Sequence, residues 1–94
     1  MKKGPSFKFR LYVAGDSPNS TKAVANLRAL CREILNEQHE IEVVDVLREP
    51  QRALKDGVLL TPMLVKLSPG PVRKIVGSLT NREPILQALG LSLP

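Results

Sequence analysis

Residues 7–20 read FKFRLYVAGDSPNS. Phe7, Phe9, Leu11 and Val13 alternate with Lys8, Arg10 and Tyr12. This period of two, carried by aromatic and branched residues, predicts a strand over 7–13. AGDSPNS at 14–20 is then a turn running into a helix start. Ser17 suits the cap, and Pro18 the first helical position, where its missing N–H costs nothing. Val24, Leu27, Leu30, Cys31, Ile34 and Leu35 follow at helical spacing, which predicts a helix to about Glu37. IEVVDVL at 41–47 is a nearly unbroken apolar run and predicts an inner second strand covered on both faces. Strand, helix and strand in this order make a βαβ unit with parallel strands and a right-handed crossover.

The second half is less decisive. Pro50 opens a short helix through Asp56, and Gly57 fits its stop. VLLTPMLVKL at 58–67 is interrupted by Pro62, and a proline cannot donate into a ladder, so the third strand is placed at 63–67. SPGP at 68–71 is a tight turn, and 72–76 supplies a fourth strand in a hairpin. Thr80 and Glu83 match a capping box, with Asn81 as an alternative cap that puts Pro84 in the first turn. Either way a helix covers roughly 81–89, with Ile85, Leu86 and Leu89 inward. The order βαβαββα is the thioredoxin-like α/β arrangement, a mixed four-stranded sheet with helices on both faces.

The chain has 94 residues, 43% hydrophobic and 24% charged, which suits one globular domain over 1–94 with a basic arm at 1–6. The net charge of +5 divides as +4 over residues 1–10, −2 over 11–60 and +3 over 61–94. That balance suits nucleic acid, an acidic protein face or a nucleotide phosphate, and equally a solvated surface; nucleic acid is disfavoured because no nucleic-acid module is visible. No stretch approaches the roughly 20 apolar residues of a membrane span. MKKGPSFKFR begins like a signal peptide, but no apolar core follows. One cysteine excludes an internal disulfide, and one histidine excludes Cys/His zinc spacings, so no metal or cofactor is expected and the setting is cytoplasmic.

Catalytic constellations are missing. A thioredoxin-like oxidoreductase carries its dithiol where the first strand meets the first helix, because the helix N-terminus lowers a thiol's pKa. Here that loop is Ser17-Pro18-Asn19-Ser20, and the one thiol, Cys31, lies on the apolar stripe as a core residue. Thr61-Pro62 stands where this fold commonly has a cis-proline, either as a structural turn or as a slow switch. His39 reads as a surface or capping residue near a helix end, and Asp45 as a strand residue without an identifiable partner. AGDSPNS lacks the spacing and the lysine of a phosphate loop. No enzyme is read here.

LYVAG at 11–15, SPNS at 17–20, VVDVL at 43–47 followed by Pro50, and TPMLVKLSPGPVRKIVGSLTNRE at 61–83 together resemble the KaiB proteins over roughly residues 8–90. The resemblance implies a non-catalytic regulator. Its partner would be a KaiC-type hexameric ATPase, whose phosphorylation and ATPase cycle it modulates in a clock or timer. KaiA or a clock output kinase would be further partners. The sensor domain of the SasA-type clock kinase shares the fold, but the PVRKIVG and NRE blocks favour KaiB. The resemblance also implies a metamorphic second half, with an alternative βαββααβ order, and self-association as monomer, dimer or tetramer. Pro62, Pro69 and Pro71 would then serve the conformational switch. The chain departs from the family in having no acidic tail after Leu91, Gly70 within the proline run, and Pro84 after NRE. Candidate partner-binding residues are Lys22, Arg73, Lys74 and Arg82, with Tyr12 alternating away from Phe9 and Leu11 into an exposed patch. The competing readings are a thioredoxin-like redox or stress-response protein, which needs an accessible Cys31, and a basic adaptor for another partner.

Overall fold

The chain runs β1 (Phe7–Val13), α1 (Pro18–Leu30), β2 (His39–Asp45), α2 (Pro50–Lys55), β3 (Met63–Ser68), β4 (Arg73–Val76) and α3 (Glu83–Leu89). The computed structural model describes residues 7–91, so the basic arm expected at 1–6 lies outside the described residues. The sheet order is β2-β1-β3-β4, with β1 and β2 parallel and the other pairs antiparallel. This is the thioredoxin-like order. Strand at 73–76 and helix at 83–89 set it apart from the alternative packing.

β1 lies at the centre because both faces of its alternation are buried. Phe9, Leu11 and Val13 face the larger layer under α1 and α3, with Leu27, Leu30, Cys31, Leu64 and Ile85. Tyr12 faces the smaller layer under α2, with Val44, Ala53, Met63 and Val65.

Four expectations need correction. β2 is an edge strand, not an inner one, and of its seven residues only Val44 is fully buried. Its apolar run divides between the two layers: Ile41 packs under α1, Val44 and Val46 pack under α2, and Leu47 lies beyond the strand in the turn. Helix α1 does not continue regularly to residue 37. It ends at Leu30 and widens into a π-helical turn, Cys31–Leu35, closed by Asn36 at φ 56°. Asparagine is among the non-glycine residues most often found at positive φ. The wider turn changes the register, so Ile34 is 39% exposed while Cys31 and Leu35 are buried. Ser17 makes no side-chain cap. Its hydroxyl donates to Ser20 Oγ at 2.8 Å, and Ser20 Oγ accepts from the Ala14 N–H at 3.0 Å. The Thr80 capping box does not form either: the Thr80 hydroxyl pairs with Ser78 at 2.9 Å, and Asn81 Oδ1 accepts from the Glu83 N–H at 3.1 Å, so Pro84 falls in the first turn as the asparagine alternative requires.

Candidate partner-binding face

Parallel pairing brings the ends of β1 and β2 to one end of the molecule, and antiparallel pairing puts the start of β3 and the end of β4 there too. The connections at 14–17, 46–49, 57–62 and 77–82 therefore converge. Asp45 organises the first two, because its Oδ1 accepts from the Gly15 N–H at 3.1 Å and the Leu47 N–H at 2.9 Å. The residue expected to lack a partner thus ties two loops together. Gly15 sits at φ 55°, and a Cβ there would lie 3.5 Å from Leu47 Cδ1, so the loop passes close to that leucine.

Large apolar side chains stand in solvent at this end and on the adjoining helix. Leu47 is 71% exposed, Leu54 75%, Leu59 89% and Leu60 63%. Leu59 and Leu60 lie in the loop before the buried Pro62, with Thr61 between, and the Thr61-Pro62 peptide bond is cis. Leu54 rides on α2, which a polar network clamps to the sheet. Tyr12 Oη donates a short hydrogen bond to Asp56 Oδ2, and Arg10 Nη1 reaches the same oxygen at 3.1 Å. Arg10 Nε and Arg52 Nη2 each reach Glu42 at 2.9 Å. From β4, Lys74 Nζ donates to the Asp56 carbonyl oxygen at 2.6 Å. Donation from Tyr12, and then from Arg10, holds the Asp56 carboxyl below its ordinary pKa. Burial first, then Asp56, pushes the Tyr12 hydroxyl up, while Arg10 and Arg52 hold Glu42 down. An aspartate at a helix C-terminus opposes the helix dipole, and two cations, Arg10 and Lys74, with the Tyr12 hydroxyl compensate it.

No residue at this face can do thiol chemistry. The 17–20 loop has no sulfur, and Cys31 is fully buried in the larger layer, where burial pushes its thiol up to about 11. Among the described residues, no group of three or more His, Cys, Asp or Glu is placed to hold a metal.

A family model described as the KaiB domain matches residues 10–91. The chain belongs to the KaiB family. Circadian clock protein KaiB3 of Synechocystis sp. is 42% identical over 84 residues, covering 89% of this chain and 80% of that protein. Among solved structures, the N-terminal domain of Synechococcus elongatus SasA matches with a TM-score of 0.78 at 20% identity, covering 97% of this chain and 87% of that one. A thioredoxin of Fasciola hepatica matches with a TM-score of 0.72 at 19% identity, over 93% and 81% respectively. The two structural likenesses carry the fold alone.

The KaiB-family candidates read from the sequence do not form one cluster. Tyr12 is fully buried, not part of an exposed patch, because α2 covers the face toward which it alternates. Lys22 and Arg73 are exposed and make no ion pair among the described residues. Lys74 is engaged by Asp56, and Arg82 forms a two-pronged pair with Glu33, its Nη1 and Nη2 at 2.9 and 3.0 Å from the two carboxylate oxygens. Pro62 is buried, whereas Pro69 and Pro71 are exposed in the β3–β4 turn. His39 is not at a helix end but opens β2 opposite Phe7, and its Nδ1 is buried without a partner among the described residues. Reasoning from sequence missed the leucine rim and Asp56. Pro62 already keeps Leu59 and Leu60 out of the third strand, but an apolar pair before a strand does not by itself show its exposure, and Asp56-Gly57 reads only as a helix stop.

Proposed function

We propose that this KaiB-family chain is a non-catalytic regulator that docks onto a KaiC-type hexameric ATPase and modulates its phosphorylation and ATPase cycle. The carrying observation is the leucine rim, Leu47, Leu54, Leu59 and Leu60, presented on a clamped scaffold that lacks reactive groups. Exposed apolar side chains grouped in this way mark interaction sites. Lys22 and Arg73 add charge that steers an acidic face toward the domain. KaiA or a clock output kinase would meet the chain after that complex forms.

The test is gel filtration of the chain with a KaiC-type hexamer after hours of incubation under each nucleotide condition. Co-elution in at least one condition is expected. Leu59→Asp with Leu60→Asp abolishes co-elution while leaving the circular dichroism spectrum and melting temperature of the free chain unchanged. Separate elution of the unmodified chain under every condition refutes the reading.

A further inference from the structure

The outer edge of β4 is open. In the β3–β4 ladder, Gly77 N–H donates to the Pro62 carbonyl at 2.9 Å, and the register pairs Met63 with Val76 and Leu64 with Ile75. Alternation in an antiparallel pair then turns the N–H and C=O of Arg73 and Ile75 toward β3. Those of Lys74 and Val76 point outward. β4 is the last strand of the sheet, so nothing among the described residues pairs with these groups.

A groove runs beside this edge on the α3 side. Arg73, Ile75, Pro84, Gln87 and Ala88 line a cavity of about 310 Å³. It shares Ile75 and Pro84 with a neighbouring cavity of about 290 Å³ reaching the 77–81 turn. The lining contains one cation and no carboxylate. Arg73 is exposed, and its cross-strand neighbour on the same face is Lys66, which is only 4% exposed. Neither makes an ion pair with any described residue. Directly opposed like charges destabilise a strand pair. The pair is thus short of an anion on the face where the groove lies.

We infer that the β4 edge and the β4–α3 groove accept an extended acidic segment of a protein partner, added to the sheet as a fifth strand. Its backbone pairs with Lys74 and Val76, its apolar side chains lie on Ile75, Pro84 and Ala88, and a carboxylate meets the exposed Arg73 and relieves its repulsion from Lys66. This is strand addition, in which backbone bonds give affinity and alternate side chains give specificity. A second copy of β4 fits less well than an acidic segment, because it would bring two more cations, Arg73 and Lys74, to an edge that already carries the same two. The surface is separate from the leucine rim, and the inference does not rest on ATPase binding.

The experiment is an NMR titration of the full ¹⁵N-labelled chain with two synthetic six-residue peptides, one alternating Glu with Val and one alternating Lys with Val. The acidic peptide is expected to shift the amides of 73–76 and 83–89 and to slow exchange of the Lys74 and Val76 amides; the basic one is not. Arg73→Glu should weaken acidic-peptide binding by about tenfold or more and allow the basic peptide to bind. Val76→Pro removes an outward N–H while sparing the bonds to β3, and should also weaken binding. Shifts mapping to β2 or the leucine rim, equal binding of both peptides, an unaltered response in Arg73→Glu, or no shift at millimolar peptide would each overturn the inference. So would preferential binding of a single-stranded oligonucleotide at the same residues.

Discussion

The layer beneath α1 and α3 is closed by aliphatic packing, whereas the layer beneath α2 is closed by charge. On the first side, Phe9, Leu11, Leu27, Leu30, Leu64 and Ile85 are each at most 2% exposed, and two helices and a π-helical turn cover them. On the second, one six-residue helix supplies a single buried side chain, Ala53, and stays in place through Tyr12, Arg10, Glu42, Asp56 and Lys74. A helix that short has little intrinsic stability and depends on its tertiary contacts. The first layer stores stability; the second positions the leucine rim with directional bonds that are individually breakable.

The comparison breaks most visibly in the larger layer. Leu27 is fully buried, and Leu27→Ala should cost about 2–5 kcal/mol, combining lost transfer energy with a residual cavity. Urea unfolding measures this. Leu54→Ala, on the exposed face of α2, should change stability by no more than about 0.5 kcal/mol in the same assay. Equal losses at the two sites would mean that the layers are not differently built.

The next effect belongs to the polar clamp. Tyr12→Phe keeps the ring and leaves Asp56 without its hydroxyl donor, at a cost of about 1–3 kcal/mol. Amide exchange should quicken across Pro50–Lys55 but not across Pro18–Leu30. The pH dependence has a definite sign. Because the folded Asp56 carboxyl is held below its ordinary value, its contribution is present above the ordinary carboxylate range and is lost as pH falls through the folded value. Tyr12→Phe, which removes the largest cause of that shift, should flatten the acid limb of a stability–pH curve. An unchanged acid limb would place the clamp elsewhere.

These two layers also explain what the sequence makes legible. β1 could be read because its alternation is unbroken from Phe7 to Val13, and the parallel β1–β2 and antiparallel β3–β4 pairings followed from the βαβ rule and the 68–71 turn. That β2 is an edge could not be read, since an apolar run looks the same whether one neighbour or two lies beside it. The burial of Tyr12 was hidden because its cover is a helix too short to show a period, and the partner that satisfies its hydroxyl lies 44 residues away. Ile34 was misplaced because a π-helical turn leaves no mark in a 3.6-residue pattern. Family membership was legible in the 61–83 block, whereas the leucine rim depended on how the chain approaches Pro62.

Cys31 gives a smaller, chemically specific test of the aliphatic layer. Burial raises its thiol to about 11, so the native state holds the proton after an unfolded chain would release it. Stability linked to this residue is full below the unfolded thiol pKa, roughly 8.5, and is lost as pH rises through about 11. Titration with an aromatic disulfide reagent at pH 8 should show no reaction in the native state and one thiol per chain after denaturation. Fast native reaction would mean that the layer opens readily, and would revive the redox reading of the chain.

The smallest effect is expected where charge acts outside both layers. Arg82 grips Glu33 with two hydrogen bonds, joining the start of α3 to the π-helical turn, but both side chains are substantially exposed at 41% and 58%. Solvent screening and the entropy of holding two long side chains cancel most of the attraction in such a pair. Arg82→Ala should therefore leave the urea midpoint within experimental scatter. The pair is still detectable by a local probe, because Arg82, first through its hydrogen bonds and then through its charge, lowers the Glu33 pKa. Carboxyl NMR titration should show Glu33 returning to the ordinary range in Arg82→Ala, with the same return on adding about 1 M salt to the unmodified chain, where the Debye length falls to about 3 Å. The contrast with Asp56 lies in burial: a polar network anchors α2 because the sheet shields it, and the same donor and acceptor types in open solvent do little. A large destabilisation by Arg82→Ala would show that α3, like α2, is held by charge, and would extend the second layer's construction to the first.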